Sequence, residues 1–337
     1  MAIAATLLTP QAFAGALADT KVTTNGGLKV TSGEHSVQFG GRIQYDYENT
    51  EVNGNTVENR FNLRRGRVFV KGNVAQDWEF KVNYNVDGSG FQDMYVRYTG
   101  WGKKAVVTVG NQNQPFTLEN LESSKDISII ERSSITERYL IGRKESVQLH
   151  GDINNFRYSV SAYTQENSTK EEDLGFALRT TYAPINDSGS VVHLGASYKD
   201  IEDVSGYGLE LGAVAGAFFF QSEYFGQEED NKEDIDGFYL QAAYVITGES
   251  RPYKKGLFKR IKPNSPKGAW EVAARYESGD GKYSDLGLGS VEASAYVLGV
   301  NYYANNNVKI SANYSQGEEK VSKDEGKDFR VSFLLAF

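Results

Sequence analysis

Asp328-Phe329-Arg330-Val331-Ser332-Phe333-Leu334-Leu335-Ala336-Phe337 decides the fold. Successive side chains of a strand point to opposite faces. Here Phe329, Val331, Phe333, Leu335 and Phe337 share one face, while Arg330 and Ser332 lie on the other. A strand this aromatic on one side and charged on the reverse suits a wall with hydrocarbon on one side and water on the other. A soluble sandwich also alternates, but it buries its apolar face in a core and seldom sets so many charges opposite.

The pattern repeats upstream. Trp78, Phe80, Val82, Tyr84 and Val86 alternate with Glu79, Lys81, Asn83, Asn85 and Asp87, and Val37, Phe39, Ile43, Tyr45 and Tyr47 alternate with Gln38, Arg42, Gln44, Asp46 and Glu48. Read along the chain, the period predicts strands near 37–49, 59–73, 78–87, 91–100, 104–112, 145–151, 155–165, 173–183, 190–199, 206–213, 217–226, 237–247, 268–278, 293–303, 307–316 and 328–337. That is about sixteen, the even count of a transmembrane antiparallel β-barrel made from one bacterial chain. Short turns at Ala75–Asp77, Trp101–Lys103, Asp152–Asn155 and Ala304–Asn306 are expected on the periplasmic side. Longer links near 50–58, 165–172, 227–236, 279–292 and 317–327 are expected outside. One long link, 248–267, falls on the periplasmic side by parity and carries Arg251, Lys254, Lys255, Lys259, Arg260, Lys262 and Lys267. The largest insertion, 113–144, has no strand period, and a loop of that length usually has a function. It is expected to fold inward as a constriction loop, because an open barrel of this size would be a wide hole.

Composition agrees. Mean hydropathy is −0.49, and past the first twenty residues no apolar run approaches the roughly 18 residues of a membrane helix. There are 21 Tyr, 18 Phe and 35 Gly against 6 Pro, a usage that favours strands, tight turns and aromatic belts. A net charge of −8 with no basic, aromatic-interleaved patch argues against nucleic acid. Cysteine is absent, which suits an oxidising envelope only weakly. Residues 1–14 read as the remnant of an export signal, apolar to Leu8 and ending small-x-small at Ala12-Phe13-Ala14, with Ala18 as a second cleavage point. Residues 15–36 then form an N-terminal segment at the periplasmic side, and 37–337 the barrel.

In sequence the chain resembles the phosphate-selective porin O/P family. The resemblance rests on Phe39-Gly40-Gly41-Arg42-Ile43-Gln44, Asn62-Leu63-Arg64-Arg65, Asp77-Trp78-Glu79-Phe80, the Asp93 strand ending Arg97-Tyr98-Thr99-Gly100, and Ser123-Ser124-Lys125 with Glu131-Arg132. It continues through Val191-Val192-His193-Leu194-Gly195, Thr247-Gly248-Glu249-Ser250-Arg251-Pro252-Tyr253, Gly268-Ala269-Trp270-Glu271 and Leu298-Gly299-Val300-Asn301-Tyr302-Tyr303-Ala304. The terminal Phe likewise resembles the closing signal of outer-membrane barrels. The resemblance implies a homotrimer in the bacterial outer membrane, contact with lipid and lipopolysaccharide, and passive diffusion of small hydrophilic anions such as phosphate or polyphosphate. It also implies that Arg42, Arg64, Arg65 and Arg132 line the lumen or constriction, that Asp93 is the acid beside the central site, and that Lys125 is a constriction-loop lysine.

Alternation independently turns Arg42 inward and puts Asp93 and Arg97 on one inward face. Strand 59–73 is less regular: Phe61 and Leu63 set one register, Val68 and Val70 the other. A β-bulge near Arg65-Gly66 would turn Arg64 and Arg67 to the lumen, or else Arg65 snorkels to an interface. The chain departs from the family pattern at Asn120, at Gln38 and at Asp200–Ser205, and its inward acids and bases are nearly balanced, so a general, weakly selective or cation-tolerant porin is the alternative. His150 and His193 read as lumen-wall residues. No metal spacing, phosphate loop, cofactor motif or nucleophile elbow is found, so no catalytic residue is assigned.

Overall fold

The computed structural model describes residues 20–24, 26–166 and 171–337. Residues 1–14 and Ala18, read above as signal and cleavage point, lie outside the described residues. The strands are β1 (Thr20–Thr23), β2 (Leu28–Ser32), β3 (His35–Val52), β4 (Asn55–Ala75), β5 (Trp78–Asn85), β6 (Gly90–Tyr98), β7 (Val106–Asn113), β8 (Arg143–Ile153), β9 (Phe156–Glu166) and β10 (Glu172–Asp187). They continue as β11 (Ser190–Ile201), β12 (Val204–Ala215), β13 (Phe218–Glu229), β14 (Ile235–Val245), β15 (Tyr253–Lys254), β16 (Leu257–Phe258), β17 (Ala269–Tyr283), β18 (Gly289–Tyr303), β19 (Val308–Glu319) and β20 (Glu325–Ala336).

Each of β3–β14 and β17–β20 pairs antiparallel with its neighbours in chain order, and β20 pairs back onto β3, which closes a 16-stranded barrel. The closing register runs from Ala336 opposite Arg42 to Gly326 opposite Val52. Phe337 adds a reciprocal backbone pair with Gly41, at 2.9 and 2.8 Å. Below that point β3 continues to His35, and β2 takes over as its neighbour, with Leu28 opposite Phe39. The described part of the expected N-terminal segment is thus a hairpin, β1–β2, set beside the C-terminal end of the barrel. Gly27 makes this approach possible: its φ is +108°, and a Cβ there would lie 2.0 Å from the Phe39 carbonyl oxygen.

The inside-out pattern of the sequence is the pattern of the fold. Phe329, Phe333 and Phe337 are 45%, 54% and 44% exposed on the outer face, whereas Arg330 and Ser332 are almost wholly enclosed. Outer aromatics pair across strands: Trp78–Tyr98–Trp101 and Trp270–Tyr302 near the short turns, Tyr84–Phe91 and Tyr276–Tyr296 towards the other end. Such belts set the amphipathic rings at the two membrane interfaces.

Several outer links are shorter than expected, because the strands run further. The link near 50–58 is the two-residue turn Asn53-Gly54, with φ of 51° and 77°. Asn-Gly is the pair that tolerates two positive φ angles in a type I′ hairpin, and it joins strands that continue as a long ribbon. The link near 279–292 shrinks to a 3-10 turn at Ser284–Leu286.

Because lipid faces one side only, one charge on that side should cost far more than a polar loss on the other. Phe333→Arg is expected to destabilise folding into vesicles by about 2–4 kcal/mol. Ser332→Ala, which removes a hydrogen bond to Asp46, should cost about 1 kcal/mol. Urea titration of vesicle-inserted protein measures both.

Candidate functional site

The inward face of β3 and β4 gathers arginines. Arg42 stands directly opposite Arg67, and Gln44 opposite Arg65. The next rung pairs Tyr45 with Leu63, so Arg64 is the extra residue of a β-bulge. The bulge expected from the clashing registers exists, but one residue earlier than placed: parity turns Arg65 and Arg67 inward, and Arg65 does not snorkel to an interface. It is 7% exposed and grips Glu131 with both Nη atoms, at 2.9 and 2.5 Å. Arg64 still reaches the same carboxylate through Nε, at 2.9 Å. Burial alone would raise the Glu131 carboxyl, but Arg65 and Arg64 outweigh it and hold it well below the usual carboxylate range.

Arg42 has only one such contact. Its Nη1 donates to Ser124 Oγ at 2.8 Å, and Arg67, Arg65, Arg132 and Arg143 are among its charged neighbours. Among the described residues, Arg42 Nε and Nη2 and Arg67 Nε are buried with no hydrogen-bond partner. Arg132 points its guanidinium at the carbonyls of Glu119, Asn120 and Glu122, at 3.0–3.3 Å, bracing its own loop. Asp93 accepts from Arg143 Nε at 2.7 Å and from Lys81. Arg143 starts β8 beside the long insertion, and sequence reading missed it because that position looked like loop.

Arg97 is not brought into this group. It pairs with Glu79 at 3.4 Å and donates to Thr108 at 3.0 Å, nearer His150 and Arg157. Burial lowers the Lys125 pKa, with Asp126 opposing and Arg260, Arg42 and Lys259 adding to the effect. Towards the Val52 end of β3 the balance turns acidic: Arg330 meets Glu48, Asp285, Asp328 and Glu131 at 3.0–3.5 Å.

The segment between β7 and β8 contains two short helices, Leu118–Leu121 and Ser134–Tyr139. It touches the β3–β4 wall through Ser124 and Glu131, and it is anchored to inward side chains on other strands. Glu223 of β13 accepts from Leu118 N and Glu119 N. On β17–β19, Ser128 donates to Glu271 at 3.1 Å, Asn313 accepts from Ile130 N at 2.7 Å, and Lys309 donates to the Ile127 carbonyl at 2.8 Å.

A second segment enters the barrel, the basic link between β14 and β17. Its sequence showed charge but not this position. Arg251 is 3% exposed; it donates to the Asp126 carbonyl at 2.7 Å and to Ser128 Oγ at 2.6 Å, and it forms an ion pair with Glu271. Phe258 N donates to Glu122 Oε1 at 2.9 Å. His193 closes the same region, with Nδ1 at 2.7 Å from Tyr253 Oη and Nε2 at 2.9 Å from Glu210.

A model of the family described as phosphate-selective porin O and P matches residues 37–204 and 198–334. The chain is similar to Porin O of Pseudomonas aeruginosa, 29% identical over 413 aligned residues covering 96% of this chain and 94% of that protein. Among solved structures it is similar to an anion-selective porin from Comamonas acidovorans, 15% identical with a TM-score of 0.61, covering 90% of this chain and 100% of that one. It is also similar to OmpT of Vibrio cholerae in its trimer form, 12% identical with a TM-score of 0.59, covering 90% and 99%. At these identities the two structures speak for the fold.

Arg251 joins both in-folded segments to the wall, so Arg251→Ala should leave a heat-modifiable barrel whose unitary conductance is larger and noisier. Removing one partner of a buried ion pair costs about 3–5 kcal/mol, enough to release the junction without opening a sixteen-stranded sheet. Unchanged conductance and noise in planar bilayers would show that the junction does not hold these two segments in place.

Proposed function

The chain belongs to the phosphate-selective porin O and P family and is an outer-membrane porin, and we propose that its pore passes small hydrophilic anions, phosphate or polyphosphate among them, by passive diffusion. The observation that carries this reading is the pair of like-charged guanidiniums at Arg42, buried, and Arg67, half-buried, of which Arg42 Nε and Nη2 and Arg67 Nε are enclosed without a protein partner. A buried donor left bare costs about 1–3 kcal/mol, and a guanidinium fork fits two oxygens of a phosphate or carboxylate. A passing anion satisfies both needs. Arg65, Arg132 and Arg143 raise the local potential. Asp93 offsets part of it, so that an anion held at Arg42 can also leave. Lys125 hands it on towards Lys259 and Arg260.

The segment 113–144 acts in this reading as the constriction loop, setting Ser124 against Arg42 of β3 with Lys125 beside it. Signal removal near Ala14, a homotrimeric assembly, and lipid and lipopolysaccharide around the outer belts belong to the same proposal. A weakly selective porin is the second reading, and a specific observation favours it: the carboxylates of Asp46, Glu48 and Asp328 are buried on inward strand faces, as Arg42 and Arg65 are.

Reversal potential in a salt gradient separates the two. The anion reading expects wild-type protein to reverse on the anion side and phosphate to block chloride current. Arg42→Ala with Arg67→Ala should weaken that block about tenfold or more, since a hydrogen bond to a charged group contributes about 1.5–3 kcal/mol. A wild-type reversal near zero or on the cation side would leave the weakly selective reading standing.

A further inference from the structure

The two ends of the barrel carry opposite charge. At the end of the Asn53-Gly54 turn, the turns 86–89, 202–203, 230–234 and 284–288 present Asp87, Asp203, Asp230, Glu233, Asp234 and Asp285, all exposed. The lysines in the described short turns of this end are neutralised where they stand. Lys232 pairs with Glu229, Lys320 with Glu292 at 2.7 Å and Lys323 with Glu318 at 3.6 Å. Inside this mouth the exposed carboxylates Glu137 and Asp285 are neighbours, in contact with Arg132 and Arg330 at 3.8 and 3.3 Å. Arg60 and Arg64 are held by Glu48 and Glu131.

The opposite end, where the chain terminates, is basic. Lys103 and Lys104 lie in the turn after β6, and Lys254, Lys255, Lys259 and Lys262 in the link between β14 and β17. Arg251 aside, no cation of that link forms an ion pair among the described residues. The charge continues into the lumen. Lys255 stands near Arg97 and Arg157, and Lys71 near Lys81 and Lys125. Glu79 and Asp152 offset part of it, at 3.4 Å from Arg97 and 2.5 Å from Arg157.

A ring of carboxylates favours cations at its mouth, and a ring of lysines favours anions. Set in series, the two make conduction depend on direction. With the acidic end positive, cations enter past the carboxylates and anions past the lysines, and both accumulate between. With the voltage reversed, each ion leaves through the end that admits it and is poorly replaced through the other. The middle then empties.

We propose that this pore is an ion rectifier, passing more current when its acidic Asn53-Gly54 end is positive than at the same voltage reversed. The property goes beyond which ion the constriction prefers and is compatible with both readings given above.

Planar bilayers test it directly. The chain has no cysteine, so Val321→Cys, 82% exposed in the acidic-end turn, reports orientation when a bulky impermeant maleimide is added to one chamber. In about 0.1 M salt, where charges are screened over about 10 Å, currents at equal and opposite voltages should differ about twofold or more. In about 1 M salt, where screening acts within about 3 Å, the ratio should fall towards one. Lys254→Gln with Lys255→Gln removes charge from the basic end and should bring the low-salt ratio towards one. If that variant does not fold, as read by heat-modifiable migration, Glu137→Gln with Asp285→Asn makes the same test at the acidic end. Equal currents in low salt, a larger current with the acidic end negative, or a ratio untouched by the substitutions would overturn the rectifier. The reversal potential, read at zero current, would still decide selectivity by itself.

Discussion

One constraint governs this protein: a polar group out of reach of bulk water must find its partner inside the molecule. For the backbone the answer is closure. The register between β20 and β3, sealed at Phe337 and Gly41, turns a sheet with two costly edges into one with none at most heights. The apolar side chains can then face outward because the ladder behind them is complete.

Within the lumen the side chains meet the constraint by pairing. Glu131 is shared by Arg64, Arg65 and Arg330; Asp93 by Lys81 and Arg143; Glu271 by Arg251, Asn301 and Tyr303. The Glu131 and Arg251 pairs fix the segments 113–144 and 248–267 to the wall, while the Asp93 set joins barrel strands to one another. Arg42 and Arg67, like Arg260, form no ion pair among the described residues. They keep bare N–H groups among other cations, and exceptions to polar satisfaction tend to mark places where a ligand completes the shell.

Most of the fold was legible because a period of two is hard to mimic: the greasy row of Phe329–Phe337 or Trp78–Val86 permits one orientation only. Arg42 and Asp93 could be turned inward for the same reason. The bulge was legible as a conflict between Phe61/Leu63 and Val68/Val70, yet its position was not, since either neighbouring residue could absorb the slip. The Asn53-Gly54 turn was written plainly, but polar neighbours made 50–58 look like a loop when it is the tip of a ribbon. The in-folding of the link between β14 and β17 could not be read at all. It depends on Arg251 meeting Asp126 and on Glu122 meeting Phe258, contacts between segments distant in sequence that leave no local pattern.

The account stands or falls on whether an anion completes the shell of Arg42 and Arg67. A crystal soaked in bromide or tungstate would locate heavy anions by anomalous scattering. The account expects a peak within hydrogen-bonding reach of Arg42 Nη2 and Arg67 Nε. Anions found only at exposed lysines outside the barrel, with that position empty at full occupancy elsewhere, would contradict it.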